Sequence, residues 1–422
     1  MGLLYIDLFS GCGGLALGFQ QAGIRGLFAI EKNIDAFSTL KYNLIDKKHH
    51  FLWPTWLPCQ NHDINDVLSK YEKELQLLKG HVPVLAGGPP CQGFSSAGRR
   101  QEDDIRNSMI DSYLKFIDII APEYVFLENV KGFTQDFSTN KTAGKNYSNY
   151  TVEELEKRGY KVAHRIINFA NYGIPQSRRR FILFASKHGK PNEFFKILRN
   201  NSTSFLKCKG LPQRPSLSSA ISDLRKSHGI RPCPDSPHFS SGIYGKPVTK
   251  YQRYMKKKGM TIPDSHRFAN HQANTIERFR ELQNLGIRNS NLSNILEENF
   301  DIKKNCFIVL DGHRPAPTLT TNPDDYAHYS EPRTMTVREY ARIQSFPDTY
   351  EFKGSYTTGG KKRKEEVPRY SQIGNAIPPL FAEQVGLALI EYANKYLLIK
   401  YSRYCEIKKH FCTSDDNKAE EV

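Results

Sequence analysis

Across the first half of the chain, short β-branched and aliphatic runs alternate with stretches whose apolar positions recur every three or four residues. Leu3, Leu4, Tyr5 and Ile6 form a continuous apolar run that predicts a buried strand; glycines follow, then an apolar helix through Leu15 and Phe19. A second strand ends at Ile30 and Glu31, and a helix with Ile34, Phe37 and Leu40 on one face comes next. Further strands are predicted over 82–86, 124–127, 162–167 and 181–184. Ile110, Tyr113, Leu114, Ile117 and Ile120 keep the 3.6-residue spacing of a helix, and Thr151 with Glu154 has the spacing of a capping box that opens another. Such alternation builds an α/β domain around a doubly wound, mostly parallel sheet.

That regularity stops near Lys187. From there to about Gln344 the chain is polar and rich in Pro, Ser and Asn, with two weak helical patterns over 276–285 and 292–298. A second, smaller and irregular domain is expected. Residues 354–366, with consecutive Lys361, Lys362, Arg363 and Lys364, read as a flexible basic loop. After Ile373 a long apolar helix (Leu380, Val385, Leu387, Leu389, Ile390, Tyr392) is expected to return to the first domain. The division is therefore 1–186, 187–365, 366–407 for the returning helix, and a frayed tail over 408–422.

Composition narrows the function. The chain has 422 residues and a formal net charge of +16, which suits a polyanionic partner. No apolar run approaches the roughly 20 residues needed to span a bilayer, and the amino terminus lacks the basic segment of a signal peptide. Eight cysteines without a Cys-x-x-Cys pair read as reduced thiols of a cytoplasmic protein. Cys59 and His62 lack the second half of a zinc site, so no metal is expected.

Two segments carry chemistry. Gly87-Gly88-Pro89-Pro90-Cys91-Gln92-Gly93 follows a strand and presents a cysteine in a flexible loop, a place for a thiolate. Gly11, Gly13 and Ala16 satisfy G-x-G-x-x-A after the first strand, with Glu31 about 20 residues on to accept from ribose hydroxyls. The pattern fits NAD or S-adenosylmethionine. Phe9, an aromatic face for adenine, and Asp63, expected near the end of the third strand, favour the second.

Taken in order, Phe9-x-Gly11-x-Gly13-Gly14, Pro89-Pro90-Cys91-Gln92, Glu128-Asn129-Val130 and Gln176-x-Arg178-x-Arg180 resemble the motifs of cytosine-C5 DNA methyltransferases. Arg338-Glu339-x-Ala341-Arg342-x-Gln344-x-Phe346-Pro347 and Gln372-Ile373-Gly374-Asn375-Ala376 complete the series. The resemblance covers roughly the first 185 and last 90 residues. It implies a Rossmann-like, S-adenosylmethionine-dependent methyltransferase fold, with Cys91 attacking cytosine C6, Glu128 donating a proton to N3, Arg180 holding O2 and Arg178 fixing Glu128. Such a base must be flipped out of the duplex. Residues 92–104, with Gln92, Ser95, Arg99 and Arg100, would close over it. Gly14, Pro89, Asn107, Met109, Asn375 and Ala376 would complete the cofactor site. The stretch 187–332 would choose the DNA target, with Lys256 and Arg314 as plausible contacts.

A compact modification enzyme of a bacterium or phage is implied: monomeric, cytoplasmic and nucleoid-associated, with a companion restriction endonuclease left open by the sequence. An NAD-dependent dehydrogenase has no use for the cysteine and Glu-Asn-Val motifs. A tRNA cytosine-5 methyltransferase, or a non-catalytic DNA-binding relative, stays open on the sequence alone.

Overall fold

The computed structural model describes residues 3–90, 108–134, 138–139, 142–143, 146–357 and 366–396. The chain divides into two compact units. The first comprises Met1–Ile167, Arg179–Ser202 and Ala382–Val422; the second comprises Asn168–Arg178 and Thr203–Phe381.

A six-stranded sheet organises the first unit. Its strands are β1 (Leu4–Leu8), β2 (Arg25–Ile30), β3 (Val84–Gly87), β4 (Tyr124–Val130), β5 (Lys161–Asn168) and β6 (Arg179–Ser186), in the spatial order β2-β1-β3-β4-β6-β5. β1 pairs in parallel with β2 and β3, and β3 with β4, whereas β6 runs antiparallel to β4. Parallel neighbours need helical crossovers that cover both faces, so β1, β3 and most of β4 are buried throughout and read as unbroken apolar runs. The chain runs from β1 outward to β2 and then returns to the other side of β1 with β3. That reversal is a topological switch point, where ligands of open α/β sheets sit beyond the carboxyl ends of the strands.

α1 (Gly14–Gln21) follows β1, and α5 (Ser108–Ile120) puts Ile110, Tyr113, Leu114, Ile117 and Ile120 into the core as its spacing predicts. α14 (Pro379–Tyr396) is the expected returning helix, and its part from Ala382 belongs to the first unit. A Cβ on Gly386 would crowd Ala22 and Phe19, and Tyr392 meets Phe184 edge-on with centroids 5.0 Å apart. One expectation is corrected here: Arg369–Tyr396 is long and apolar enough to cross a membrane by composition, yet it is mostly buried in the protein and serves as core.

Other expectations also move. Asp63 does not end a strand; it caps α3 (Ile64–Lys70), and the third strand lies at 84–87. Ile34, assigned to a buried face, is 62% exposed at the start of α2 (Ile34–Leu40). Thr151 opens no helix: α6 (Tyr147–Lys157) starts four residues earlier under the cap of Asn146, and the Thr151 hydroxyl bonds back to the Tyr147 carbonyl at 2.7 Å. The regular pattern does not end at Lys187 either. α7 (Pro191–Cys208) follows, and Phe194 stacks on Phe184 of β6 with centroids 4.2 Å apart, so the first unit extends to Ser202.

The second unit combines apolar packing with buried ion pairs. Its α12 (Val337–Ile343) starts in a capping box formed by Thr336 and Glu339. Arg342 grips Asp348 through two bonds of 2.6 Å and Asp223 through bonds of 3.0 and 3.2 Å, all three side chains fully buried. A small separate core joins Phe279, Leu282, Leu292, Leu296, Phe307 and Val309, which explains why both weak helical patterns are real helices.

Candidate active site

The carboxyl ends of β1 to β4 carry the chemistry of the first unit. After Leu8 the backbone enters the left-handed region at Phe9 (φ 57°), Gly11 (φ 54°) and Gly13 (φ 86°), a run that glycine makes possible before Gly14 opens α1. Glu31 closes over this turn. Its Oε2 accepts from the Gly11 amide at 2.9 Å and its Oε1 from the Asn33 amide at 2.8 Å. Burial nonetheless pushes the Glu31 carboxyl above its ordinary range against these donors. Asp63 arrives beside it by another route than a strand: the His62 amide donates to the Glu31 carbonyl at 2.8 Å, and Asp63 pairs with Lys32 at 2.9 Å. Phe9 and Met109 are partly buried against the main core.

Asp7 was not foreseen. It is 1% exposed, one residue from the end of β1, and among the described residues neither carboxylate oxygen has a hydrogen-bond partner. Burial, and secondly the Glu31 carboxylate, hold its pKa well above the usual range. Charge in Asp-Leu-Phe is visible in the sequence, but its lack of a partner is visible only in three dimensions.

Glu128 lies near the end of β4. Antiparallel pairing sets Glu128 opposite Ile182 on β6, so Arg180 is its diagonal neighbour on the same face. Arg180 Nε meets Glu128 Oε1 at 3.0 Å, with both side chains mostly buried. Burial lowers the Arg180 pKa while Glu128 opposes the change. Gly88 leaves room for this carboxylate, because a Cβ there would stand 3.2 Å from both Glu128 Oε2 and the Glu128 carbonyl. Asn129 Nδ2 donates to the Pro89 carbonyl at 3.1 Å. The structure thus brings Glu128, Arg180 and Pro89 together. Cys91, Gln92, Ser95, Arg99, Arg100 and Asn107 lie outside the described residues. Cys12, the other cysteine of the glycine turn, is buried, and burial drives its thiol far above the reactive range.

The remaining candidates belong to the second unit. Arg178, fully buried, donates to the Leu319 carbonyl at 3.5 Å. The ion pair of Glu128 described above is with Arg180. Gln176 bonds Gln344 Oε1 at 3.0 Å, and Gln344 in turn donates to the Ile373 carbonyl at 2.9 Å, knitting three sequence motifs through side-chain amides. Asn375 is exposed and Ala376 half-buried just beyond. Lys256 lies 4.2 Å over the Tyr244 ring, and Arg314 is 79% exposed beside Asp311. Among the described residues no group of three His, Cys, Asp or Glu could hold a metal ion.

Comparison with known proteins decides the family. The model for C-5 cytosine-specific DNA methylases matches residues 3–391. The chain belongs to that family. It is 30% identical over 424 residues to the Type II methyltransferase M.DdeI of Desulfomicrobium norvegicum, covering 94% of this chain and 91% of that protein. It is 28% identical to the Type II methyltransferase M1.HphI of Haemophilus parahaemolyticus, covering 93% and 87%. Among solved structures, one described as a DNA modification methyltransferase encoded within an E. coli prophage aligns with a TM-score of 0.63 at 22% identity, covering 93% and 100%. That likeness bears on the fold, and it agrees with the sheet above.

Membership of the C-5 cytosine methylase family implies S-adenosylmethionine as methyl source, and the residues fit it. This molecule carries an ammonium and a sulfonium, and Asp7, a buried carboxyl with no hydrogen-bond partner among the described residues and in the field of Glu31, fits a cationic ligand. The glycine turn and Glu31 provide the close backbone approach and the hydroxyl acceptor that a ribose needs.

Proposed function

We propose that this C-5 cytosine methylase transfers a methyl group from S-adenosylmethionine to C5 of a cytosine flipped out of a specific duplex DNA sequence, as the modification partner of a restriction endonuclease. The observation that carries the reading is the buried Glu128–Arg180 pair at the carboxyl edge of the sheet, packed against the Gly88-Pro89 backbone that leads into Cys91.

Cytosine C5 is a poor nucleophile. Addition of the Cys91 thiolate to C6 makes C5 enamine-like, and Glu128 supplies the proton that neutralises N3. Arg180 spends Nε on Glu128 and one Nη on the Arg179 carbonyl, which leaves its other Nη for the cytosine O2. When bound, S-adenosylmethionine supplies an electrophilic methyl group, which C5 takes. A base then removes the C5 hydrogen as a proton, the electron pair of that bond expels Cys91 from C6, and Glu128 recovers its proton from N3. Water is a fair candidate for that base. On the cofactor side Glu31 would accept from the ribose, Asp7 would face the positive end, and Phe9 with the exposed Ile34 would cover adenine.

The test uses duplex DNA carrying 5-fluorocytosine at the target. Fluorine cannot leave as a cation, so an adduct should form that survives denaturing electrophoresis, only with S-adenosylmethionine present, and map to Cys91. Cys91→Ser should abolish it. An adduct on another cysteine, or one formed with tRNA and not with duplex DNA, would overturn the reading.

A further inference from the structure

Two arginines of the second unit lie over one tyrosine ring, and the protein uses them differently. Arg369 is 4.1 Å over Tyr356 and buried. It pairs with Asp235 at 2.8 Å and donates to the Gly354 carbonyl at 2.9 Å and the Ser265 hydroxyl at 3.0 Å. Asp235 also accepts from the Tyr356 hydroxyl at 3.0 Å and from the Cys233 thiol at 3.2 Å. Tyr356 is therefore held in place by Arg369 and Asp235 without help from the second arginine.

That second arginine is Arg267. Its guanidinium lies 3.8 Å over Tyr356 and 4.1 Å over Phe239, and the residue is half-buried. Among the described residues it has no carboxylate partner, and its guanidinium makes one hydrogen bond, from Nη1 to the Ser236 hydroxyl at 3.1 Å. Nε and Nη2, whose N–H groups point the same way, stay available as a two-pronged donor. Contact with two rings holds the guanidinium plane, so much of the rotamer entropy of a long side chain is lost before any ligand arrives. A half-buried charge fixed in this way, with nothing opposite it, suits a ligand that brings the acceptors. The backbone places it well: Ile230–Pro232 pairs antiparallel with Ser240–Gly242, and Ser241 bridges on to Arg267. A small β-ribbon of this kind fits the major groove of B-DNA, where guanine presents O6 and N7 side by side. Adenine has an amino donor in place of O6, and would meet the fork with the wrong sign.

We infer that Arg267 is a base-reading residue: its fork, held against Phe239 and Tyr356, recognises O6 and N7 of one guanine in the DNA target. The inference rests on the proposed action at a specific duplex sequence, and adds one base of that sequence and the residue that reads it. A phosphate would accept the charge of a lysine nearly as well, whereas the paired acceptors of guanine need the planar fork.

Sequencing methylated cytosines in DNA from cells that express the protein defines the target. Duplexes in which each guanine of that target is replaced in turn by 7-deazaguanine, which lacks the N7 acceptor, are then methylated in vitro. At one of these positions the unsubstituted enzyme should lose about 5-fold or more in kcat/KM. Arg267→Lys keeps the charge and loses the fork. It should lose about 10- to 100-fold on the unmodified target and methylate sites that carry another base at that same position. The two losses should not add, because both remove one contact. Binding of S-adenosylhomocysteine equal to that of the unsubstituted enzyme shows that the variant is folded, and the 7-deazaguanine scan itself needs no variant. A scan in which no position costs the unsubstituted enzyme more than about 2-fold would overturn the inference, and so would losses that add in full. Arg267→Ala that binds cognate and unrelated duplexes equally less well, with the methylated sequence unchanged, would make the contact one to phosphate and overturn it too. If no specific sequence is methylated, the proposed function falls first and takes the inference with it. A defined target that Arg267→Lys methylates with unchanged rate and sequence sinks the inference alone.

Discussion

Asp7 shows what a single residue can contribute beyond its motif. A carboxyl whose pKa is raised in the fold stays protonated where the unfolded chain has released its proton. The folded state thus loses stability as pH rises from the ordinary aspartate value toward the raised one, and at neutral pH Asp7 costs stability. Asp7→Asn has the same shape and no charge to bury. It should raise the melting temperature, with a gain of about 1–3 kcal/mol, while weakening S-adenosylmethionine binding. Calorimetry that finds cofactor affinity intact would remove Asp7 from the site. In the sequence, motif order alone singles out Cys91, Glu128, Arg180 and Glu31 as candidates. Asn129 and Gly88 took their meaning from neighbours across a strand, which spacing along the chain does not encode. Asp63 sits on another element than expected: a turn bonded to Glu31, not a strand, carries it.

Elements were most legible where the pattern was set by burial on two faces. β1, β3, β4 and α5 lie where the apolar runs put them. α7 was missed because Asn200, Asn201, Ser202, Thr203 and Ser204 interrupt it with poor helix formers, and packing such as that of Phe194 overrides propensity. α12 makes a different point. In a chain with a charge of +16 an arginine reads as surface, yet Arg338 and Arg342 are fully buried. Burial lowers the Arg342 pKa, but Asp348 and Asp223 outweigh it and hold the guanidinium charged. Arg342→Ala would take the cation from Asp223 and leave Asp348 only the more distant Arg338 at 4.0 Å, a loss of about 3–5 kcal/mol. Urea unfolding measures it directly. A variant within about 1 kcal/mol of the parent would mean that the three charges nearly cancel.

At the scale of the whole molecule, two units and a basic excess were expected, and the uneven distribution of that excess matters more than its total. Residues 199–258 carry 13 Lys and Arg against 2 Asp and Glu, whereas residues 259–332 carry 7 against 10. Both acids of the first stretch are already used, Asp223 by Arg342 and Asp235 by Arg369. Under the proposed function, 199–258 would add most to the long-range attraction for a duplex within this part of the chain, and the acidic stretch would act by shape and base edges. Lys256 tests this division. Its ammonium lies over the Tyr244 ring, which restrains a side chain that would otherwise lose much rotamer entropy on meeting a phosphate. Lys256→Ala should weaken DNA binding about equally for cognate and unrelated duplexes and lower the slope of log affinity against log salt by about 1. The methylated sequence should not change, because a phosphate contact carries no base information. A relaxed methylation pattern with an unaltered salt slope would instead make Lys256 a reader of bases, and the basic stretch part of the specificity itself.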